Sequence, residues 1–177
     1  MRYATARLLH RRRTDLSAIP SHWLWRDGPV GSGPAVIFDM DGVLSDASQR
    51  QHFLDGPLQY WEKFFAACGE DAPIVEALEM ARLLDPSIVV ILLTARPIRV
   101  RTQTMDWLGR HPVRWDLLVM RDEDDWTSSH TFKRTELRDL QRRGFQIQLA
   151  VDDDPRNVEM YRRADVPALY FHSGYYD

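Results

Sequence analysis

The stretch AVIFDMDGVL, Ala35–Leu44, decides the fold, because it runs from an apolar segment straight into two carboxylates. Its first four residues do not alternate with polar ones, which is typical of a strand covered on both faces. Asp39 and Asp41 follow with one residue between them, and Gly42 lets the chain turn away sharply. Carboxylates this close resist joint ionisation unless a cation or a proton relieves them. The stretch therefore predicts a charge-compensating group at the end of a buried strand.

The remainder of the chain alternates short aliphatic runs with helical patterns. The further runs predict strands at Ile88–Leu93, Leu117–Met120, Ile147–Val151 and Ala168–Phe171. Apolar residues at helical spacing, with proline near several starts, predict helices at Pro57–Cys68, Pro73–Leu84, Val100–Leu108, Lys133–Arg142 and Pro155–Arg163. Strand and helix in alternation predict an α/β fold with a mostly parallel sheet and right-handed crossovers.

Polar side chains follow three of the predicted strands at the point where each strand ends. Asp39 and Asp41 come after the first, Thr94 and Arg96 after the second, and Asp152–Asp154 after the fourth. The carboxyl ends of parallel strands meet at one edge of a sheet, and α/β proteins bind ligands there. These side chains are therefore expected to form one site.

The residue types at this edge suit a metal ion and a phosphate. Clustered carboxylates provide the hard oxygen ligands that Mg²⁺ takes, whereas no Cys/His cluster has the spacing of a zinc site. Thr94 can donate a hydrogen bond, and Arg96 and Lys133 can supply positive charge to a phosphate. A carboxylate can act as the nucleophile in phosphoryl transfer, and a second carboxyl can serve as its acid and base.

The order Asp-x-Asp, Thr, Lys, Asp-Asp resembles that of the haloacid dehalogenase (HAD) superfamily of phosphotransferases. DMDGV looks like its first motif, LLTAR like its second, Lys133 like its third and VDDDPRN like its fourth. The resemblance extends from Ala35 to the C-terminus and implies a three-layer Rossmann-like fold. It also implies that Asp39 is the nucleophile and Asp41 the acid/base, and that Thr94 and Lys133 hold the phosphoryl group.

The same resemblance implies a magnesium site. Its ligands would be the Asp39 carboxylate, the backbone carbonyl of Asp41 and the Asp152 carboxylate, with Asp153 assisting. For Asp154 we expect a different role, as the N-cap of the helix that begins at Pro155.

The C-terminal segment LAVDDDPRNVEMYRRADVPALYFHSGYYD is similar to the end of the 3'-phosphatase domain of phage-type polynucleotide kinase/phosphatases. Arg50 and Arg96 stand at the places of two arginines of that family, which implies contacts with substrate or transferred phosphate. A simple loop charge is the alternative for Arg50. Ser129 stands where that family has an acidic residue, four positions before Lys133, which weakens the inference of nucleic-acid specificity. The chain has no kinase-type phosphate loop, so phosphatase activity alone is expected.

The predicted elements leave little room for a cap domain over the site. Residues 46–85 hold one helix beyond the one that returns to the second strand, and the segment before Lys133 is short. A minimal cap or none suits a bulky substrate such as a nucleic-acid end, or a small one covered by a partner subunit in a homo-oligomer. Aromatic residues of the extra helix, Tyr60, Trp61, Phe64 and Phe65, could stack on a base or could simply pack in the core.

Three alternative functions remain open on the sequence. A small-molecule phosphatase for nucleotides or sugar phosphates would use the same residues. A non-catalytic phosphate-binding module would keep them without turnover. A signalling receiver domain also has aspartates, Thr and Lys on a parallel sheet, but its acidic pair comes first, whereas here the paired acids come last.

Composition bounds the remaining possibilities. Cys68 is the only cysteine, which excludes an intramolecular disulfide and suits a reducing compartment. No apolar run approaches the roughly 20 residues that cross a bilayer, so we expect a cytoplasmic protein without membrane contact.

Charge divides the chain into two predicted parts. Residues 1–33 hold six arginines and two aspartates, a net charge of +4, which leaves −7 on residues 34–177. We expect a basic N-terminal arm and linker at 1–33 and the phosphatase domain at 34–177. Arg11–Arg13 could attract phosphate or form a solvated surface. Trp23 and Trp25 are expected to pack the arm onto the domain, and residues 28–34 to form the linker.

Overall fold

The computed structural model describes residues 19–176 and places a six-stranded sheet at their centre. Five of the strands are the predicted ones: β2 (Pro34–Phe38), β5 (Val89–Pro97), β6 (Leu117–Arg121), β7 (Gln146–Asp152) and β8 (Ala168–Tyr170). These five pair in parallel, and β1 (Trp23–Trp25) joins β6 antiparallel at one edge, giving the order β1-β6-β5-β2-β7-β8. The prediction of a mostly parallel sheet is confirmed.

Helices cover both faces of the sheet. They are α1 (Trp61–Ala66), α2 (Val75–Leu83), α3 (Arg101–Arg110), α4 (Ser129–Arg142) and α5 (Pro155–Arg163). Short 3₁₀ helices span Ser48–Phe53, Cys68–Glu70 and Ile98–Val100. Within residues 19–176, no helix has the length and apolar character needed to cross a bilayer.

Two hydrophobic clusters separate the layers, one on each face of the sheet. Successive side chains of a strand point to opposite faces, so Val36 and Phe38 join one cluster while Ala35 and Ile37 join the other. The first cluster packs beneath α2 and α3, and the second beneath α4 and α5. Apolar surface on both faces explains why the strand sequences do not alternate, and it produces the expected three-layer α/β/α architecture.

The chain between β3 (Ser45–Asp46) and β4 (Ala72–Pro73) contains α1 and two of the 3₁₀ helices, and β3 and β4 pair as a small antiparallel ribbon. This segment carries the extra helix that the sequence predicts, and it is far smaller than a cap domain. Phe64 of α1 is buried and packs in the core, whereas Trp61 of α1 and Tyr60 just before it are exposed and remain available for contact with a base.

The N-terminal part of the described chain belongs to the sheet. The side chain of Trp23 is buried in the second hydrophobic cluster, where its Nε1–H donates to Glu136 Oε2 over 2.6 Å, and Trp25 packs against the same cluster. The predicted packing of both tryptophans is confirmed. The sheet thus includes residues on both sides of the boundary predicted at residue 33, and the exposed segment 28–33 connects β1 to β2. Arg11–Arg13 lie outside the described residues.

The strand order places the ends of β5, β2 and β7 side by side. The chain passes from β2 to β5 and β6 on one side, and then crosses to β7 and β8 on the other. Such a reversal opens a crevice beyond the carboxyl ends of the central strands. The residues that follow β2 therefore lie where an α/β sheet offers a binding site.

Trp23→Ala tests whether β1 is part of the cooperative fold. We expect the variant to lose about 3–5 kcal/mol of unfolding free energy, because a large buried side chain is removed and Glu136 loses a buried donor. Denaturant unfolding measures the change. Arg26→Ala, at an exposed position just after β1, is the control and should stay within about 0.5 kcal/mol of wild type. Equal stabilities of the two variants would contradict the assignment.

Candidate active site

Asp39 stands at the carboxyl end of β2, where the sheet holds its backbone. Its N–H donates to the carbonyl oxygen of Val151 in the neighbouring β7 over 2.9 Å. Its Oδ1 accepts from the backbone N–H of Met40 over 2.7 Å, and the side chain is only slightly exposed, at one wall of an open cleft. The backbone bonds leave the carboxylate one orientation, toward the cleft and toward Lys133.

Lys133 lies in α4, in the turn after its N-terminus, and is fully buried. Its Nζ lies 2.7 Å from Asp39 Oδ2 and 2.7 Å from Asp152 Oδ2. Burial alone would lower the pKa of Lys133, but the charges of Asp152 and Asp39 outweigh it and hold the pKa well above its usual range. The ammonium group is therefore a fixed positive charge between two carboxylates.

Asp39, Asp152 and Asp153 together form a cluster of oxygen donors. Each offers a carboxylate oxygen, and these oxygens lie within 4.8 Å of one another. Lys133 supplies one positive charge against three negative ones, so the cluster has an excess of two negative charges. Asp153 Oδ2 is buried and has no hydrogen-bond partner among the described residues. Hard oxygen ligands, an acceptor without a partner and an excess of two negative charges fit a small divalent cation.

The pKa values of Asp39 and Asp153 reflect the same excess of negative charge. Burial raises the pKa of Asp39 well above its usual range; Lys133 opposes this, and the charges of Asp152 and Asp153 add to it. Burial also raises the pKa of Asp153 to about 7, against a hydrogen bond from Ser173 and with help from the charge of Asp152. Without a cation, the carboxyl groups of Asp39 and Asp153 therefore hold protons more tightly than isolated ones do.

Asp152 is held by the start of α5. Its Oδ1 accepts from the backbone N–H of Asp154 over 3.1 Å and from Asn157 Nδ2 over 2.9 Å. Asp154 is the N-cap of α5, as predicted: its Oδ1 accepts from the backbone N–H of Arg156 over 2.8 Å. No pattern in the sequence assigned a role to Asn157, although its place in the first turn after the acidic triplet could have indicated that it faces the strand end.

Gly42 allows the close approach of Asp153. Its φ is +82°, and a Cβ at this position would lie 2.0 Å from Asp153 Oδ2. Both the backbone conformation and the space therefore require glycine. The sharp turn predicted from the sequence is present, and it makes room for a carboxylate of the Asp39, Asp152 and Asp153 cluster.

The Asp41 carboxylate faces away from this cluster, toward two guanidinium groups. Its Oδ1 lies 2.5 Å from Nη2 of Arg50 and 2.5 Å from Nη2 of Arg96. Burial raises the pKa of Asp41, but the charges of Arg96 and Arg50 outweigh it, and the pKa stays well below its usual range. The backbone carbonyl of Asp41, not this carboxylate, remains the predicted metal ligand.

Asp71 completes the surroundings of the two arginines. Its carboxylate accepts from Arg50 Nε and Nη2 over 2.8 and 2.7 Å and from Arg96 Nη2 over 3.2 Å. Asp41, Asp71, Arg50 and Arg96 thus form an electrically neutral, largely buried group, called the arginine–aspartate quartet below. No motif in the sequence indicates Asp71; only the need to compensate two buried guanidinium groups could have suggested a second acid.

The structure thus places Arg50 and Arg96 behind Asp41. Both are buried, and neither is a simple loop charge. Thr94 is also buried, near the end of β5, and its Oγ1 accepts from the backbone N–H of Arg96 over 3.1 Å. As the acceptor in this bond, the Thr94 hydroxyl keeps its own hydrogen for another partner. The phosphate contacts predicted for these residues remain predictions.

The cleft above these groups has a volume of about 700 Å³ and remains open to solvent. Its walls combine acidic residues with aromatic ones, and it includes Ser129 at the start of α4. Besides Asp41 and Asp154, the acidic side chains beyond the cluster are Asp55, Asp122, Glu123 and Asp125; the basic ones are Arg99, Arg121 and Arg156, and the aromatic ones are Trp61, Phe64, Phe65, Trp126, Tyr175 and Tyr176. Neither a cap domain nor a large insertion covers this opening within residues 19–176.

Most of the chain matches a known protein family. The family described as the phosphatase domain of polynucleotide kinase PNKP matches residues 33–176. No curated protein matches the chain.

Solved structures with a similar fold include chains of an RNA repair complex and an acid phosphatase. Two structures of the Pnkp1/Rnl/Hen1 complex, one of them described as an RNA repair complex, each contain a chain similar to this one with a TM-score of 0.64. The identities are 25% and 26% over 88% and 84% of this chain, which spans about half of those chains, 47% and 49%. The class C acid phosphatase from Bacillus anthracis with tungstate bound has a TM-score of 0.58 and 14% identity, over 85% of this chain and 70% of its own, a similarity of fold alone.

Gly42→Ala tests the packing of Asp153 against the turn. We expect the added methyl group to displace the Asp153 carboxylate and to lower metal affinity about tenfold or more. Calorimetric titration with Mg²⁺ measures the affinity. Gly56→Ala is the matched control, since Gly56 also has a positive φ, +94°, but a Cβ there meets nothing within 4 Å. Each variant should lose about 1–2 kcal/mol of stability from the left-handed backbone. Equal metal affinities would contradict the crowding.

Asp153→Asn tests the excess of negative charge in the cluster. Because folding raises the pKa of Asp153 from about 3.9 to about 7, ionising it costs folding free energy as the pH rises from 4 to 7, and the full cost persists at higher pH. At pH 8 without metal, we therefore expect the variant to melt a few degrees above wild type, at about 2–4 °C per kcal/mol. Added Mg²⁺ should stabilise wild type more than the variant.

Thermal unfolding with and without Mg²⁺ checks both effects of Asp153→Asn. Asp106→Asn, at an exposed position on α3, controls for the loss of a negative charge and should leave both melting temperatures near those of wild type. If Asp153→Asn without metal melts below wild type at pH 8, the cluster does not carry the inferred excess of negative charge.

Proposed function

The chain belongs to the family of PNKP phosphatase domains within the HAD superfamily and is a phosphatase, and from this premise we propose that it removes a terminal 3'-phosphate from a polynucleotide. The reaction would be Mg²⁺-dependent and would pass through an aspartyl-phosphate on Asp39. The observation that carries the proposal is the cluster of Asp39, Asp152 and Asp153 beside Lys133, which combines a carboxylate at the cleft wall with a twofold excess of negative charge.

The magnesium site would use the three carboxylates of the cluster. Asp39, Asp152 and Asp153 would hold the ion, with the backbone carbonyl of Asp41 as the further ligand implied by the first motif. When bound, Mg²⁺ offsets negative charge and so lets a phosphate approach the carboxylates. Asn157 and the backbone N–H of Asp154 keep Asp152 oriented for this role.

In the first step, a carboxylate oxygen of Asp39 attacks the phosphorus atom. The bond between phosphorus and the leaving oxygen breaks, and that oxygen takes a proton from Asp41, which must enter this step as the carboxylic acid although Arg50 and Arg96 favour its carboxylate. Thr94 donates a hydrogen bond to the phosphoryl group, and Lys133 offsets its negative charge. The products of this step are the free 3'-hydroxyl and Asp39 as an acyl phosphate.

In the second step, water attacks the phosphorus atom of the acyl phosphate. Asp41, now a carboxylate, takes a proton from this water, the bond between phosphorus and the Asp39 oxygen breaks, and inorganic phosphate leaves. Arg50 and Arg96 favour the ionised form of Asp41, which is the form that accepts this proton. The arginine–aspartate quartet therefore orients the acid/base and assists the hydrolytic half of the reaction.

The open cleft supports a bulky substrate. A polynucleotide end can reach Asp39 without the movement of a cap, and aromatic side chains on the cleft walls can contact bases. The matched family and the two similar chains of the Pnkp1/Rnl/Hen1 complex favour the same substrate class.

One observation favours a small-molecule phosphatase as the second candidate. Four acidic side chains of the cleft walls, Asp55, Asp122, Glu123 and Asp125, would repel a long polyanion more than a single nucleotide or sugar phosphate. The substrate length that the enzyme prefers therefore distinguishes the two candidates.

A panel of phosphate esters tests the proposed function. With Mg²⁺ present, we expect kcat/KM to be highest for a 3'-phosphorylated oligonucleotide and lower for a 5'-phosphorylated oligonucleotide, a nucleoside 3'-monophosphate and a sugar phosphate. Asp39→Asn should lower kcat for every substrate at least about a thousandfold, because it removes the nucleophile. A preference for the small esters would support the second candidate, and no turnover of any ester would leave a binding module.

The acyl phosphate can be trapped directly. In a single turnover with ³²P-labelled 3'-phosphate and an acid quench, the label should appear on the wild-type protein and be released by hydroxylamine. With an aryl phosphate, whose leaving group needs no proton, Asp41→Asn should accumulate more label than wild type because hydrolysis loses its base. Label on Asp39→Asn would contradict the assigned nucleophile.

A further inference from the structure

The loop from the end of β6 to the start of α4, residues 122–128, presents a tryptophan to the active-site cleft. Trp126 is 82% exposed and lines the same cleft as Asp39 and Asp41. Its indole has no hydrogen bond or ring contact with any described residue. An exposed indole at the wall of this cleft offers a flat apolar surface, and its burial against a ligand would be favourable.

The loop is built to hold this tryptophan in place. Asp125 Oδ1 accepts from the backbone N–H of Thr127 over 2.8 Å and from its hydroxyl over 2.6 Å, so the chain is bonded across Trp126. Arg121 Nη1 donates to the carbonyl oxygen of Thr127 over 2.7 Å, and Arg99 pairs with Glu123 over 2.9 Å. The indole is therefore carried on an ordered loop, which lowers the entropy lost when a ligand packs on it.

Arg121 has an unused hydrogen-bonding edge at the same cleft. Its Nη1 is engaged with Thr127, and its guanidinium lies 5.4 Å from the ring centre of Phe132. Nε is buried without a partner among the described residues, and no ion pair joins Arg121 to a carboxylate there. Nη2 also lacks a hydrogen-bond partner among the described residues, so it is the nitrogen of the guanidinium that can donate to a phosphate oxygen from outside the chain. The positive charge of Arg121 is thus available to a single anion at this wall of the cleft.

From these two side chains we propose a nucleotide-binding subsite next to the catalytic centre, in which Trp126 stacks on the terminal base and Arg121 binds the phosphodiester that precedes it. The inference rests on the proposed function, since it takes the 3'-phosphate of that same terminal nucleotide to lie at Asp39. Trp126 and Arg121 act here as specificity residues and take no part in the chemical step.

The acidic residues of the loop agree with a short subsite. Asp122, Glu123, Asp124 and Asp125 directly precede Trp126 in the chain, so a long run of phosphates along this wall would meet repulsion. Stacking on an aromatic ring is independent of charge, and Arg121 offers a place for a single phosphodiester. We therefore expect recognition of one terminal nucleotide and its 5'-linkage, with only a shallow dependence on salt.

Matched substrates separate the two contacts. The first pair is a 3'-phosphorylated dinucleotide with its terminal base present and the same molecule with that base removed. The second comparison is the dinucleotide against a nucleoside 3'-monophosphate, which lacks the internal phosphodiester. Ratios of kcat/KM between matched substrates isolate each contact from any general loss of activity.

For Trp126→Ala, we expect the ratio for the base-bearing over the abasic dinucleotide to fall about 5- to 150-fold, the range for one base stacked on an aromatic residue. The change should be in KM, and Trp126→Phe should restore most of it. Leu83→Ala, at a position 72% exposed on α2 and away from the cleft, is the control and should keep every ratio at its wild-type value.

For Arg121→Gln, we expect the ratio for the dinucleotide over the nucleoside monophosphate to fall about tenfold or more. The slope of log KM against log salt concentration for the dinucleotide should decrease by about 0.7, the value for one phosphate contact on a single strand. Thermal unfolding of each variant shows whether the loop change has disturbed the fold.

The outcomes distinguish this inference from the function on which it rests. If wild type prefers 3'-phosphorylated dinucleotides but Trp126→Ala and Arg121→Gln keep wild-type ratios, the subsite is wrong and the function stands. If Trp126→Ala lowers kcat/KM for the base-bearing and the abasic dinucleotide equally, the loop is structural and stacking is excluded. If wild type hydrolyses other esters but no nucleoside 3'-phosphate, the proposed function fails and the subsite with it.

Discussion

Charge balance at the carboxyl ends of three neighbouring strands is the constraint on which the rest of the structure depends. Five carboxylates and three cationic side chains meet there, and most are buried: Asp39, Asp41, Asp71, Asp152 and Asp153 with Arg50, Arg96 and Lys133. Removing charges from water costs several kcal/mol each unless a partner compensates them. Each group must therefore have an opposite charge beside it, and the net excess of two negative charges must lie where a cation can reach it.

The structure meets this constraint by dividing the groups into two sets. The arginine–aspartate quartet is neutral and largely buried, and Asp41 is its member at the cleft wall, held by two guanidinium groups. The cluster around Lys133 carries the entire excess charge and opens to the cleft. Asp39 and Asp41 are two residues apart and belong to different sets, which explains how one strand end can deliver two carboxylates with opposite pKa shifts.

The cleft outside these sets has a mixed character that bears on substrate choice. Its acidic walls discourage long polyanions, whereas its exposed aromatic residues offer contacts that do not depend on charge. A catalytic centre with excess negative charge needs a cation before any phosphate can approach. Under the proposed function, selectivity for a nucleotide comes from a few well-placed groups at the wall rather than from a broad positive surface.

The sequence by itself determined the strands, the helices and the edge at which chemistry-bearing residues gather. Apolar runs without alternation indicate strands buried on both faces, and such strands form a parallel sheet whose carboxyl ends share one edge. This local physics was enough to bring Asp39, Thr94, Lys133 and Asp152 to the candidate site, and to assign Asp154 as a helix cap.

Only the tertiary structure decided which of these groups face one another. Asp71 belongs to no motif, because its role arises from guanidinium groups distant in the sequence that need compensation. Asn157 ends the VDDDPRN stretch, but its bond to Asp152 is visible only once α5 is placed against the strand end. The position of Arg50 and Arg96 behind Asp41, and the place of β1 in the sheet, also depend on long-range packing. Side-chain charges interact through space, whereas periodicity and spacing along the chain describe only the local backbone, so pairing partners are determined when the sheet brings its strand ends together.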